Sequence, residues 1–323
     1  MKEIGGYIEF EHYNGLDFYP DAVALNCARN CLAFLIEARE IKKIYIPLML
    51  CSSVREVCEK YSVEIGFYPI NDDFLPQIDF FIKDNEYLYL VNYYGQLSND
   101  IFSEFKSKYR NVIIDNVQAF FQRPIDGIDT IYTCRKFFGV PDGAYLVTDS
   151  KLNRTLPVDI SYPRMNFLLA RYETNAEDHY QESVDNNKLF KTEPIKSMSK
   201  LTHNLLRAID YESIKDKRTA NFIYLQSHLG TINKLSLTIP EGPFAYPLLI
   251  DNGSEIRKQL QKRKIYIPTL WPEIIDECQP DSLEVNYAKN ILPIPCDQRY
   301  TEIDLAIMVD AIKFLIAKEP RRK

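Results

Sequence analysis

The run Tyr132-Thr133-Cys134-Arg135-Lys136-Phe137-Phe138-Gly139-Val140-Pro141-Asp142-Gly143 decides the fold when it is read together with Val112-Ile113-Ile114-Asp115, whose carboxylate precedes Lys136 by 21 residues. An apolar β-branched run that stops at Asp115 marks the end of a buried strand, and Thr130 to Thr133 marks the next one. Upstream, Lys43-Ile44-Tyr45-Ile46-Pro47, Val63 to Tyr68 and Tyr87 to Asn92 are also strands; downstream, Ala144 to Thr148 is another. Between them, Ala28, Cys31, Leu32, Leu35 and Ile36 follow helical spacing in a helix beginning near Cys27 or Ala28. A second helix, capped by Ser52 or Ser53, runs to Tyr61, and a third, Ser98 to Tyr109, carries Ile101, Phe102 and Phe105. Strands alternating with helices of about ten residues predict an α/β fold, with a mostly parallel central sheet covered by helices on both faces. In such sheets the sites lie at the carboxyl ends of the strands. Tyr94, Asp115 and Lys136 all fall there.

That placement has chemical content. A lysine amine between a strand and a Gly/Pro turn, with a carboxylate at a neighbouring strand end, is the layout of a Schiff-base site for pyridoxal phosphate (PLP). The amine forms an imine with the cofactor aldehyde and later shuttles protons. The carboxylate keeps the pyridine nitrogen protonated, because an opposite charge within hydrogen-bond reach favours the cation. Most lysines beside turns are simply solvated, but two aromatic residues and the Gly-Val-Pro-Asp-Gly turn after Lys136 argue against that here. Asp115 alone is consistent with a turn cap, and its position before Lys136 favours the pyridinium partner. Desolvation and the adjacent Arg135 both favour the neutral, nucleophilic form of the lysine.

The bulk composition excludes several classes. With 323 residues, 46% hydrophobic and 26% charged, the chain reads as a soluble globular protein of two domains, or one large α/β domain with an appendage. A net charge of −6 and a pI near 5.4 argue against nucleic acid or an anionic membrane as the partner. No apolar stretch reaches the ~20 residues of a membrane span. Met1-Lys2-Glu3-Ile4-Gly5-Gly6 lacks a signal-peptide core, so a cytoplasmic location is expected. Cysteines 27, 31, 51, 58, 134, 278 and 296 show no CxxC pair, and the four histidines (12, 179, 203, 228) are not close in sequence to them. Reduced, largely buried thiols and no metal centre follow.

Beyond residue 150 the pattern changes. Residues 150–195 are polar with little periodicity, a long excursion of the kind used for lids or interface arms. Helical spacing returns from about 196 to 229. It is followed by a strand (Ala245 to Ile250), a helix (Ser254 to Lys262), a strand (Lys264 to Pro268) and a final helix capped by Thr301 with Asp304 three residues on. Trp271 reads as core or as a face of the active-site mouth, and Arg299 as a surface ion pair rather than an anion ligand. The basic tail Arg321-Arg322-Lys323 reads as frayed. The expected division is a large domain, 18–205, and a smaller α+β domain, 206–323, joined by the N-terminal segment 1–17.

Taken in order, these motifs resemble the DegT family of fold-type-I PLP-dependent enzymes, whose best-studied members are sugar aminotransferases of sugar biosynthesis. Leu25-Asn26-Cys27-Ala28-Arg29-Asn30-Cys31-Leu32 stands where that family has a small-residue turn entering its first main helix. Val91-Asn92-Tyr93-Tyr94-Gly95-Gln96 is similar to its strand ending in Tyr-Gly-Gln. Asp115-Asn116-Val117-Gln118-Ala119 matches its Asp-x-x-Gln element, Lys136 to Gly143 its lysine loop, and Leu292-Pro293-Ile294-Pro295 its C-terminal signature. The resemblance implies a homodimeric transaminase. In it, glutamate gives its amine to PLP held as a Lys136 aldimine, and the amine passes on to a keto group, on a nucleotide-linked keto sugar. It also implies that Asp115 holds the ring protonated and Gln118 orients it. Ala28, Arg29 and Asn30, at a helix N-terminus, with Thr133, bind the phosphate, and Cys51 packs on the ring.

The chain departs from that pattern in four places. Ala28-Arg29 replaces the usual Gly-Thr, and Ile131 stands where many members carry a serine. Cys51 stands where an aromatic residue is common. The Asn-x-Arg-Met element that reaches the partner's phosphate has no counterpart closer than Ser197-Met198-Ser199. These departures keep open an alternative, a catalytically altered or non-catalytic protein that retains the fold to bind a ligand or partner. Dehydratase relatives lack the lysine, so Lys136 argues against that outcome. The absence of Gly-x-Gly-x-x-Gly after the first strand argues against a dinucleotide site. The sequence does not name the amino acceptor.

Overall fold

The structure, a computed structural model, describes residues 4–318. The strands are β1 (Val23–Leu25), β2 (Lys43–Pro47), β3 (Glu64–Tyr68), β4 (Tyr87–Val91), β5 (Val112–Asp115), β6 (Asp129–Thr133), β7 (Ala144–Val147), β8 (Tyr246–Leu249) and β9 (Ile291–Ile294). The helices of the first half are α1 (Ala28–Ala38), α2 (Ser52–Lys60), α3 (Asn99–Lys108), α4 (Asn166–Glu173) and α5 (Tyr180–Leu189). Those of the second half are α6 (Lys200–Leu206), α7 (Tyr211–Leu229), α8 (Gly253–Lys262), α9 (Ile274–Glu277), α10 (Leu283–Asn290) and α11 (Glu302–Lys318).

Seven strands make one sheet in the order β1-β7-β6-β5-β4-β2-β3. Strand β7 alone runs against its neighbours; the rest are parallel. Every residue of β5 and β6 is buried, which requires cover on both faces; β5 is apolar up to Asp115, whereas β6 also buries the polar Asp129, Thr130 and Thr133. Helix α1 supplies part of the cover against β6 and β7, and α3 packs against β5. A second buried cluster joins β8, β9, α7, α8 and α11 through Phe222, Leu225, Tyr246, Leu248, Leu260, Leu292, Leu305 and Ile312.

Several expectations need correction. Lys264 to Pro268 is not a strand: Lys264 takes a left-handed φ of 60°, Ile265 N–H closes back on Leu260 O at the end of α8, and β8 pairs with β9 instead. Cys51, not a serine, stands at the N-cap of α2, and the free amide of Ser52 donates to Glu273 Oε1 at 2.8 Å. The excursion 150–195 contains α4 and α5, and the helical stretch after 196 breaks between α6 and α7, where Asp210 caps α7. The Thr301–Asp304 capping pair is present, with Asp304 Oδ2 accepting from Thr301 N–H at 2.8 Å. The tail Arg321–Lys323 and the first three residues lie outside the described residues. No helix among the described residues is long and apolar enough to cross a membrane, and all seven cysteines are free thiols.

Candidate cofactor site

Adjacent parallel strands β4, β5 and β6 end together, and the site grows from those ends. Asp115 closes β5, with 4% of its surface exposed. Its two oxygens are both engaged: Oδ2 accepts from Tyr89 O–H at 2.8 Å and Oδ1 from Val117 N–H at 3.0 Å. Burial raises its pKa, opposed by the Lys136 charge and by these two donors.

Lys136 lies three residues beyond β6, in the turn that connects it to β7. Its side chain keeps solvent access while protein surrounds it on the remaining sides. That surrounding mass pushes the amine's pKa down, against the pull of Asp115 and Cys51. A group enclosed by protein yet reachable from solvent is what an amine nucleophile requires. The Nζ stands 5.4 Å from the centroid of the Phe244 ring. Asp115, Cys51 and Lys136 are therefore brought within electrostatic reach of one another.

The lysine turn is held from three directions. Phe137 O accepts from Arg218 Nη2 at 3.1 Å and from Gln298 Nε2 at 2.9 Å. The Phe137 and Phe138 rings enter a cluster with Phe120, Phe121 and Tyr211. Asp142, fully buried, accepts from Ser199 N–H and Ser199 O–H, each at 2.8 Å, and from Thr202 O–H. Gly143 has φ +112°, and a Cβ there would stand 2.9 Å from Thr202 Cγ2. Only glycine takes that backbone without strain.

The remaining predicted residues divide. Gln118 is buried and its Oε1 accepts from Tyr94 N–H at 2.8 Å, supporting a residue at φ 55°. Thr133 is buried at the end of β6, paired with Ala144. At the start of α1, Cys27 provides no side-chain cap, although its thiol, whose pKa burial pushes up, lies close enough to the amides of Asn30 and Arg29 for both to oppose that push. Asn30 is held further: its N–H donates to Cys27 O, and its side chain donates to Asn26 Oδ1 and Pro194 O. Ser197-Met198-Ser199 lies along β1, where Met198 N–H donates to Ala24 O. Trp271 packs edge-on against Tyr93 and Tyr94, and Arg299 forms an ion pair with Asp297 at 2.7 Å.

Sequence reading missed Tyr89, Arg218, Phe244 and Gln298. No local motif signals them, since three of the four come from beyond residue 200 and act only through the fold.

No protein family model matches the chain, and no curated protein sequence matches it. Solved structures do. DesV of S. venezuelae, solved in complex with a ketimine intermediate, superposes with a TM-score of 0.63 at 14% identity, over 93% of this chain and 85% of that one. A DegT DnrJ EryC1 StrS aminotransferase from Brucella abortus gives 0.63 at 13% identity, over 92% and 86%. The PMP form of the putative sugar aminotransferase Spr1654 of Streptococcus pneumoniae gives 0.64 at 14%, over 92% and 86%. The chain thus has the PLP-transferase fold of type I. The likeness is in fold over nearly the whole of both chains.

Proposed function

We propose that this protein is a PLP-dependent aminotransferase acting on a keto sugar. The observation that carries the reading is the placement of Lys136, with its lowered pKa, within electrostatic reach of buried Asp115 at the ends of adjacent strands. The residues fit the cofactor: an accessible amine, a buried carboxylate, and, in the first turn of α1, the orphaned Nε of Arg29.

When bound, PLP supplies an electron sink for the carbon that carries the amino group. The chain's own residues divide the remaining work. Lys136 Nζ, neutral at lower pH than a solvated lysine, would hold the cofactor through its lone pair and would take up and return a proton at Nζ. Asp115, whose charge Lys136, Val117 and Tyr89 favour against the upward push of burial, would serve the ring nitrogen. Tyr89 fixes the carboxylate's orientation, and Gln118 holds the Tyr94 backbone beside it. Ala28, Arg29 and Thr133 serve the phosphate; Asn30 stabilises the loop that presents them. Cys51 and Phe244 line the space at Lys136.

In the same proposal glutamate is the amino donor and the acceptor is a nucleotide-linked keto sugar. Residues 18–205 form the cofactor-binding domain, and 206–323, joined by 1–17, the smaller one. The second buried cluster around β8, β9, α7, α8 and α11 supports that division. The protein works in the cytoplasm as a homodimer. Supporting the dimer, Ile4, Tyr7, Ile8 and Leu16 in the N-terminal segment and Ile160, Tyr162 and Tyr172 in the excursion are large apolar side chains left exposed.

The test is the visible absorption spectrum of the purified chain with added PLP, beside Lys136→Ala. A band in wild type that glutamate bleaches, and that the variant cannot form, supports a transaminase half-reaction. No band at saturating PLP overturns the reading and leaves a protein that keeps the fold to bind a ligand or partner.

A further inference from the structure

We propose that Arg29, Arg135 and Arg164, gathered around the ring of Phe190, form a binding site for a phosphate group. Three chain segments converge there. Arg29 lies in the first turn of α1, Arg135 in the lysine turn, and Arg164 in the short 3-10 turn before α4. The guanidinium carbons of Arg135 and Arg164 lie 4.7 and 5.2 Å from the Phe190 centroid, and Arg29 lines a crevice with the same ring. An aromatic face holds a guanidinium while leaving its N–H edge free to bond an anion.

Those edges are not satisfied by the protein. Arg29 Nε and Arg164 Nε and Nη1 are buried with no hydrogen-bond partner among the described residues. Arg29 has no ion pair there, and Arg135 donates only to the neutral amide of Asn187. Arg164 shares Asp159 with Lys196, which also pairs with Glu193. Glu56, on the same crevice, gives Oε1 to Lys191 and keeps Oε2 buried without a hydrogen-bond partner among the described residues. Asp142, which also faces Arg135, has its oxygens taken by Ser199 and Thr202. Three guanidiniums, Lys196 and Lys191 thus share three carboxylates, Asp159, Glu193 and Glu56, leaving positive charge in excess.

The cost shows in Arg135, whose pKa falls to about 10. Burial is the main cause and the Arg29 and Arg164 charges add to it, against the pull of Cys27 and Asp142. Buried cations with unmatched donors are expensive. A tetrahedral dianion with several acceptor oxygens resolves all of it at once.

Two sources carry that chemistry: the phosphate of PLP, in which case the inference rests on the function proposed above, and the phosphate of a nucleotide-linked substrate. Dissociation constants for PLP, pyridoxal and UDP, measured by fluorescence titration of the full chain, separate them. The variants are Arg29→Gln, Arg135→Gln, their double, and Arg29→Lys as the conservative control. If the site holds the cofactor phosphate, PLP affinity falls about tenfold or more per glutamine variant while pyridoxal is unchanged. If it holds a substrate phosphate, UDP affinity falls by a similar factor while PLP is unchanged. In either case Arg29→Lys retains part of the affinity. Unaltered PLP and UDP affinities overturn the proposal. So does an equal loss for pyridoxal, because the arginines would then be holding the turn rather than a phosphate. Absence of a PLP band in wild type defeats the transaminase reading alone and leaves the UDP arm to decide this one.

Discussion

The two ends of the lysine turn differ in how their polar groups are matched. Toward Phe137 and Asp142, acceptors meet donors: Phe137 O has two, Asp142 three, and the fully buried Arg218 spends its guanidinium on Gln298 Oε1, Pro243 O and Phe137 O. Toward Arg135 and the start of α1, donors outnumber acceptors and several buried N–H groups have none. The contrast separates two tasks. A fully matched network fixes where the lysine stands, whereas an unmatched one carries a cost that only a bound ligand removes. Mutations on the matched side should therefore act on stability, and mutations on the unmatched side on binding.

The comparison breaks most readily at Arg218. Arg218→Ala leaves three acceptors short of a donor and opens a cavity under Phe137, so chemical denaturation should show a loss of about 3–5 kcal/mol. A loss below about 1 kcal/mol would show that the network is not what fixes the turn. Asp142→Ala strands the amide and hydroxyl of Ser199 and the hydroxyl of Thr202, with an expected cost of about 2–3 kcal/mol.

Tyr89→Phe removes one donor from Asp115 and should cost about 1 kcal/mol, with the Asp115 pKa rising further, readable by carboxyl NMR. Arg29→Gln, which breaks no internal bond, should leave the melting temperature unchanged or raised, within about 0.5 kcal/mol. A large destabilisation there would erase the contrast. A final test concerns pH. Burial disfavours the charged amine, so Lys136 loses its proton below the ordinary lysine range. PLP uptake should rise with pH and level off below that range. Asp115→Asn removes a charge that favours the protonated amine and should move the midpoint lower still.

The sheet was legible in the sequence because β2 to β7 are short β-branched and aromatic stretches punctuated by turns, most clearly Val112-Ile113-Ile114 in β5. Strand β1 escaped notice since three residues carry no period. Helices α4 and α5 escaped because none of the residues of α4 and only Asn186 of α5 is buried, so there is no apolar stripe to read. Lys264 to Pro268 has the composition of a strand and lacks a partner. At the site, the closeness of Asp115 and Lys136 was legible from spacing, since strand ends in a parallel sheet converge by construction, whereas Cys51 entered only through the family resemblance. Arg164 and Arg218 were not legible. Each is a polar residue in a polar stretch, and burial alone distinguishes them from solvated arginines.

The double hold on the Phe137 carbonyl also has a bearing on the order in which the molecule assembles. The turn between β6 and β7 is a local hairpin connection, yet Gln298 Nε2, one of the two donors that hold it, lies 161 residues further along the chain. The sheet can form from residues made early in synthesis, with short loops to close. The position of Lys136 is then completed only when the distant segment docks, and such a closure carries the entropy of a long loop. A chain released short of Gln298 would carry a folded sheet in which the Lys136 turn still wanders, so that the position of this amine matures later than the architecture around it.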